Sequence, residues 1–507
     1  MTNHLFDGLF GDATNERPLV RFPDGKSLSY GEGLALSARL ANTLVGLGVV
    51  AGDRVAVQIP KSFDAIMLYI ACARMGAVFL PLNTAYTAGE VEYFLSDAGA
   101  RLFVCDPSRE AELSAMAEAN GASLETLGQS DASGKCSGSL SEKSQQAASQ
   151  FENAECGADS LAAILYTSGT TGRSKGAMLS HNNLLSNARA LASLWQFTGD
   201  DVLLHALPIF HTHGLFVAVN VTLIAGSSMI LLPGFNLDAI IEHMDCATSM
   251  MGVPTFYTRL LDDQRFTQEL ADHMRLFVSG SAPLLAETHV QFEERTGKRI
   301  LERYGMTETN MNTSNPYVGE RRAGTVGFPL PNVELRICDP ETGEAVTQGD
   351  VGVIEVKGEN VFSGYWKMPE KTKEEFRDDG FFITGDLGTI DADGYVSIVG
   401  RSKDLIISGG YNIYPKEVEL VLDEEEGVLE SAVIGVPHPD FGEAVVGVLV
   451  ASGASLDCEA IKARIAGKIA RFKQPKALYV LDELPRNTMG KVQKNALREQ
   501  FRETFAS

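Results

Sequence analysis

The run Tyr166-Thr167-Ser168-Gly169-Thr170-Thr171-Gly172-Arg173-Ser174-Lys175-Gly176 comes directly after an apolar stretch at 161–165. The apolar stretch reads as a buried strand, and the run after it reads as a loop. Glycines free the backbone to curl, the hydroxyls of Thr167, Ser168, Thr170 and Thr171 add donors, and Arg173 and Lys175 add positive charge. Converging N–H and O–H donors with a cation form a cradle for polyanionic oxygens. The spacing is not that of a Walker loop, because two residues separate Gly172 from Lys175. A flexible linker has a similar composition, but it seldom starts at the end of a buried strand or finishes in Arg-Ser-Lys-Gly. The expectation is a triphosphate loop set in an α/β sheet.

The rest of the chain agrees with that fold class. Segments 30–47, 65–75 and 90–98 have helical spacing, and 54–59, 76–82 and 101–105 read as short buried strands. Helices alternating with buried strands imply a sheet covered by helices. At 507 residues the chain exceeds a single core. A net charge of −23 argues against a nucleic-acid surface. Seven cysteines stand singly, with no CxxC pair, which is a reduced pattern without a disulfide framework or zinc site. The first seven residues lack a basic region and an apolar core, so no signal peptide is expected and a cytoplasmic location is. Residues 214–237 carry no charge and have the length of a membrane span. Asn220, Thr222 and Gly226-Ser227-Ser228 interrupt them, so a buried helix, a turn and a strand are expected instead. The Ser/Gly-rich segment 128–157 reads as an exposed excursion.

Chemistry-bearing residues recur where strands end. Two histidines, His211 and His213, come after the apolar 206–210, and Arg259 sits on a largely apolar segment. The strand 276–278 runs into Ser279-Gly280-Ser281-Ala282, and in open α/β sheets ligands collect at such ends. Glu302, Arg303, Tyr304, Gly305, Met306, Thr307 and Glu308 combine a guanidinium, a hydroxyl and carboxylates around one glycine; Glu308 suits magnesium beside a phosphate. Asp386 after a strand suits ribose hydroxyls, with Arg401 able to reach the same sugar. Residues 462–507 hold eleven Lys/Arg against four Asp/Glu, a local reversal that suggests a polyphosphate partner. Lys491 comes directly after Gly490 on an expected exposed loop.

In order and spacing these pieces resemble the adenylate-forming superfamily of acyl-CoA synthetases, adenylation domains and firefly-type luciferases, over essentially the whole chain. Within it the chain looks most like the malonyl-CoA synthetases, through PIFHTHG, MGVPTFYTRL and LERYGMTETNMNTSNPY. One departure is Ser174, where many relatives have proline. The resemblance implies a large N-terminal domain of packed α/β sheets, residues 1–402, and a small mobile α+β domain, 403–507, hinged near Lys403.

It also implies a two-step ligase: malonate, and methylmalonate as a tolerated acid, is activated by ATP as an acyl-adenylate and passed to coenzyme A. By the family pattern Thr167, Ser168, Gly169, Thr170, Thr171, Gly172 and Lys175 hold the β- and γ-phosphates. Thr307 and Glu308 serve the α-phosphate and Mg2+. Ser279, Gly280, Ser281 and Ala282 frame adenine with Tyr304, beside Glu302, Gly305 and Met306, while Asp386 and Arg401 hold the ribose. Lys491 is the catalytic lysine, and a candidate for regulatory acylation. Gly409 and Gly410 line the coenzyme A tunnel, and His211, Arg259 and Arg303 face the acid. The partners implied are small molecules, with neither nucleic acid nor membrane. The alternatives are a short-chain, medium-chain or aryl acyl-CoA synthetase, and an adenylation domain that loads a carrier protein.

Overall fold

The computed structural model describes residues 2–11, 14–129, 136–167, 174–408, 411–453, 456–487 and 490–505. The chain forms two compact units, Met1–Glu334 with Lys357–Phe382, and Leu335–Val356 with Ile383–Ser507.

The first unit carries two large sheets. One orders its strands Ser123–Thr126, Leu102–Cys105, Arg54–Gln58, Val78–Pro81, Leu161–Thr167 and Lys175–Ser180. All neighbours are parallel except the last two, which pair antiparallel with Thr167 opposite Lys175. The expected phosphate loop therefore joins two hairpin strands rather than a strand and a helix. The second sheet has nine strands, with Leu301–Met306, Leu276–Ser279, Ser249–Gly252, Val202–His205, Ser228–Leu231 and Pro18–Arg21 as a parallel centre. These strands are buried almost throughout, as parallel strands with helices on their faces must be. The helix Tyr30–Gly46 starts at Ser29 in a reciprocal capping box with Glu32. The helix Phe63–Met75 stops at Gly76, whose φ of 72° favours glycine.

The uncharged 214–237 stretch resolves into a wide-turn helix His213–Val219, the helix Asn220–Ala225 and the strand Ser228–Leu231. Among the described residues no helix is long and apolar enough to cross a membrane. The excursion at 128–157 needs correction. It contains the helix Ser139–Gln146, and its carbonyl at Phe151 and amide oxygen of Asn153 accept hydrogen bonds from Arg74, at 3.1 and 2.8 Å. Low apolar content hid a segment that packs through backbone and amide groups around one buried arginine.

In the second unit the strands Val333–Cys338, Gly352–Gly358, Phe382–Ile390 and Val396–Arg401 form one sheet. A five-stranded sheet comes next, built on the long antiparallel pair Val428–His438 and Gly442–Ala451. Residues alternate between its faces: Val433, Val445 and Leu449 pack with Ile461 and Ile465, whereas Ala432, Ile434, Val446 and Val448 pack with Leu497. Residues 335–356 and 383–402, whose strands form a sheet of their own, fall in the same compact unit as the C-terminal residues. The expected boundary at 402/403 falls inside this unit and stays a proposal.

Candidate active site

Within the first unit the candidate residues gather at the carboxyl ends of strands. Thr167 ends one strand and Lys175 begins the next. Ser168, Gly169, Thr170, Thr171 and Gly172 lie outside the described residues. The Thr167 hydroxyl stands 3.5 Å from Oε1 of Glu308, which sits on the turn between Leu301–Met306 and Asn310–Ser314. Asn310 closes that turn at a φ of 51°. Gly305 is required there, since a Cβ would fall 1.8 Å from the Asn310 carbonyl oxygen. Thr307 is half-buried and Glu308 buried.

Two residues that sequence reasoning missed complete this corner. Tyr365 donates toward Glu308 Oε1 at 3.1 Å and toward Glu375 Oε2 at 2.7 Å. Lys175 Nζ pairs with Glu375 Oε1 at 3.0 Å and lies 4.0 Å above the Tyr365 ring. Neither spacing nor composition marks Gly364–Phe376 as part of a site; a bridge from Ala177 to Tyr365 and the Phe362 N–H on the Glu308 carbonyl, at 2.8 Å, bring it there. The donors around Glu308 are oxygens, which suits magnesium, and among the described residues no three His, Cys, Asp or Glu converge on a metal-sized position. A single carboxylate completed by substrate phosphates is how magnesium is usually held.

A second cluster surrounds Arg303. Ser279 and Glu302 lie side by side on parallel strands, and the Glu302 carboxylate accepts the Leu284 N–H at 3.1 Å. Glu302 thereby fixes the 280–284 loop. Ser281 holds φ at 71° and meets His213 Nδ1 at 3.2 Å through its hydroxyl. Arg303 is 3% exposed, and its Nε and Nη2 have no hydrogen-bond partner among the described residues. Burial pushes its guanidinium down to about 9. Its room depends on Gly280, where a Cβ would lie 2.4 Å from the Arg303 Cζ. Burial, then Arg303 and the neighbouring His205 and His211, hold His213 well below the usual imidazole range. His205, buried at the end of its strand, and Lys61, which donates to the His205 and Leu207 carbonyls at 2.8 and 2.9 Å, were not foreseen. Polar side chains in this pocket are thus chiefly cationic or neutral donors.

Tyr304 is buried, while Gly305, Met306, Ala282 and His211 are half-buried. Arg259 is placed differently from Arg303. The helix Pro254–Asp262 buries Phe256, Tyr257 and Leu260, whereas Arg259 is exposed, its Cζ 5.3 Å from the centre of the Phe235 ring. No hydrogen bond or ion pair among the described residues ties it to the Arg303 group.

In the second unit Asp386 and Arg401 face each other across antiparallel strands, with Arg401 Nε 2.7 Å from Asp386 Oδ1. Asp386 is almost wholly buried and Arg401 is partly exposed, so the pair offers one carboxylate edge and one guanidinium. Lys403 is exposed on the short helix Ser402–Asp404. Gly409 and Gly410 lie outside the described residues. Lys491 is exposed; its N–H donates to Asn487 Oδ1 at 3.0 Å, and Gly490 turns the chain with a φ of 74°. The basic tail is extensively ion-paired within the protein. At least eight of its eleven Lys/Arg pair with acids, among them Lys462, Arg464, Lys468, Lys473, Arg486, Lys494, Arg498 and Arg502. Most partners, such as Glu417, Glu419, Glu425 and Glu430, lie upstream in sequence. The charge reversal is local in sequence and largely neutralised in space.

The AMP-binding enzyme family model matches residues 11–366, and that of the AMP-binding enzyme C-terminal domain matches 417–491. Malonate–CoA ligase of Arabidopsis thaliana is 33% identical, with 98% of this chain and 88% of that protein covered. Feruloyl-CoA synthase of an Amycolatopsis species is 36% identical, with 94% of each covered. The crystal structure of ATP-bound MatB from Rhodopseudomonas palustris is 56% identical over all of both chains, with a TM-score of 0.97.

Proposed function

Because the chain belongs to the AMP-binding enzyme family and is an acid–thiol ligase working through an acyl-adenylate, the open matter is its acid, and we propose that the acid is malonate. The observation that carries this reading is Arg303: a buried guanidinium with two unpartnered nitrogens and no ion pair among the described residues. A charge buried without a partner is costly, so such a site persists where a ligand supplies the counter-charge. A carboxylate can take two parallel hydrogen bonds from a guanidinium, and a methyl group none. The malonate–CoA ligase among the relatives supports the same acid.

In this reading the phosphate loop from Thr167 to Lys175 holds the β- and γ-phosphates of ATP. Thr307 receives an α-phosphate oxygen, the 279–282 loop and Tyr304 frame adenine, and Asp386 and Arg401 take the ribose. Bound at Glu308, magnesium supplies charge that neutralises the phosphates. Lys491 bridges the reacting carboxylate and the α-phosphate, which lets two anions meet. The acyl–phosphate bond forms as pyrophosphate leaves; the coenzyme A thiol then displaces AMP to give malonyl-CoA. His211 and Arg259 serve the acid more weakly than Arg303, Arg259 because its exposed charge keeps its hydration.

The test is a panel of acids assayed for CoA-dependent AMP release. Malonate is expected to lead, methylmalonate to be tolerated, and acetate, butyrate and octanoate to be poor by a factor of roughly a hundred or more, since a buried polar group left unpaired rejects the analogue strongly. Arg303→Met should depress kcat/KM for malonate by a similar factor while ATP still binds. Equal turnover of octanoate and malonate, or full malonate activity in Arg303→Met, would make this reading wrong.

A further inference from the structure

Lys175 pairs with one of two carboxylates that share the Tyr365 hydroxyl. The segment carrying Tyr365 is laced to the strand Lys175–Ser180 by backbone bonds from Met178 to Gly364 at 3.0 Å and from Trp366 to Gly176 at 2.7 Å. The lacing sets Tyr365, 3% exposed, against Lys175. The Tyr365 hydroxyl lies within hydrogen-bond distance of both Glu308 and Glu375 but has one proton to give. Burial, then the charges of Glu308 and Glu375, raise its pKa, so the proton stays. Two carboxylates bridged by one hydroxyl are close enough that a lysine beside them could pair with either. Lys175 is on Glu375. Glu375 also has Lys371 Nζ at 3.1 Å from the same oxygen, so it keeps a cation when Lys175 turns to another anion. Burial pushes the Glu375 carboxyl up, but the Tyr365 hydrogen bond and the two lysines outweigh it and hold it below the usual range.

We propose that Glu375 is a positioning residue for adenylate formation: it holds the Lys175 ammonium off Glu308, so that Glu308 keeps its charge for magnesium and Lys175 stays poised for the phosphates. This rests on the reading in which Lys175 serves phosphate and Glu308 serves the metal. Without the Glu375 charge, Glu308, which shares the Tyr365 hydroxyl with Glu375, becomes an alternative carboxylate for the ammonium, and magnesium then has to displace it. The two cations then compete where they had been kept apart.

The experiment is calorimetry of ATP binding to the full chain across a series of magnesium concentrations. Glu375→Gln keeps the size and an acceptor for Tyr365 but removes the charge. The magnesium concentration giving half of the full effect on ATP affinity is expected to rise about fivefold, the size of a coupling between contacting charged residues. Glu375→Asp, charged but one methylene shorter, should fall between, and it carries the test if the glutamine variant does not fold. In a Lys175→Met background the same Glu375→Gln change should shift nothing, because no ammonium is left to misplace. No shift in either Glu375 variant would overturn the proposal, and so would an undiminished shift in the Lys175→Met background. If Lys175→Met and Glu308→Gln both bound ATP with magnesium like the parent protein, the phosphate and metal reading itself would fall, and the proposal with it.

Discussion

At the scale of single residues, the lysine and the arginine assigned to the chemistry sit in opposite surroundings. Arg303 is enclosed, and its position depends on the missing Cβ of Gly280. Lys491 is exposed on a tight turn held by Asn487 and Gly490. An exposed ammonium gives little until it is desolvated between two anions, and in the proposed role that happens in one step. Lys491→Ala is therefore expected to slow adenylate formation by roughly a hundredfold or more, about 3 kcal/mol, the usual loss for one preorganised electrostatic contact. Thioester formation from supplied malonyl-adenylate should be nearly unchanged. Single-turnover assays of the two half-reactions decide it, and equal losses in both would remove Lys491 from this role. Both residues were legible in the sequence. The state of Arg303 was not: its sequence context is equally compatible with an internal salt bridge, and the folded chain shows none among the described residues.

At the scale of elements, most of the first unit is explained by hydrophobic period and punctuation. Expected helices at 30–47, 65–75 and 90–98 are observed as Tyr30–Gly46, Phe63–Met75 and Ala88–Ala98. Boundaries moved where a cap decided them, as at Thr87, which forms a reciprocal box with Glu90 and starts its helix two residues early. The hinge is an expectation of this scale. Lys403 lies within the three-residue helix Ser402–Asp404, directly after the strand Val396–Arg401. Proline in the first turn of a helix is tolerated but fixes φ near −65°. Lys403→Pro should thus leave the fold intact and impair one half-reaction more than the other. Were both slowed equally, or neither, the hinge would have to be placed elsewhere.

At the scale of the whole molecule, buried histidines set the acid limit. Burial lowers His181 to about 4 and holds His205 and His213 well below the usual range, and all three lie in the first unit. His181 must stay neutral to accept the Leu5 N–H at 3.3 Å. Their folded values lie below the unfolded value near 6.5, so the unfolded chain binds more protons as pH falls, and stability is lost from about pH 6.5 downward. For His181 the loss at pH 5 relative to pH 7 is roughly 2 kcal/mol. Asp423 in the second unit, raised by burial to about 6, and Asp64 in the first, also raised by burial, work the other way as pH falls. The melting transition of the first unit is expected to fall steeply between pH 7 and 5, and His181→Gln, which keeps an acceptor, should flatten that fall. A midpoint that stayed level over this range would refute the account.

Order along the chain, hydrophobic period and glycine placement determined the α/β class, the approximate elements and the loops that end strands, because those properties are local. Which charges meet was decided only by tertiary structure. Arg401 meets Asp386 through strand register, and Lys175 meets Glu375 through a bridge across almost two hundred residues. The basic tail is neutralised by acids that precede it. Electrostatic energy depends on distance in space and on burial, and neither is a property of sequence separation.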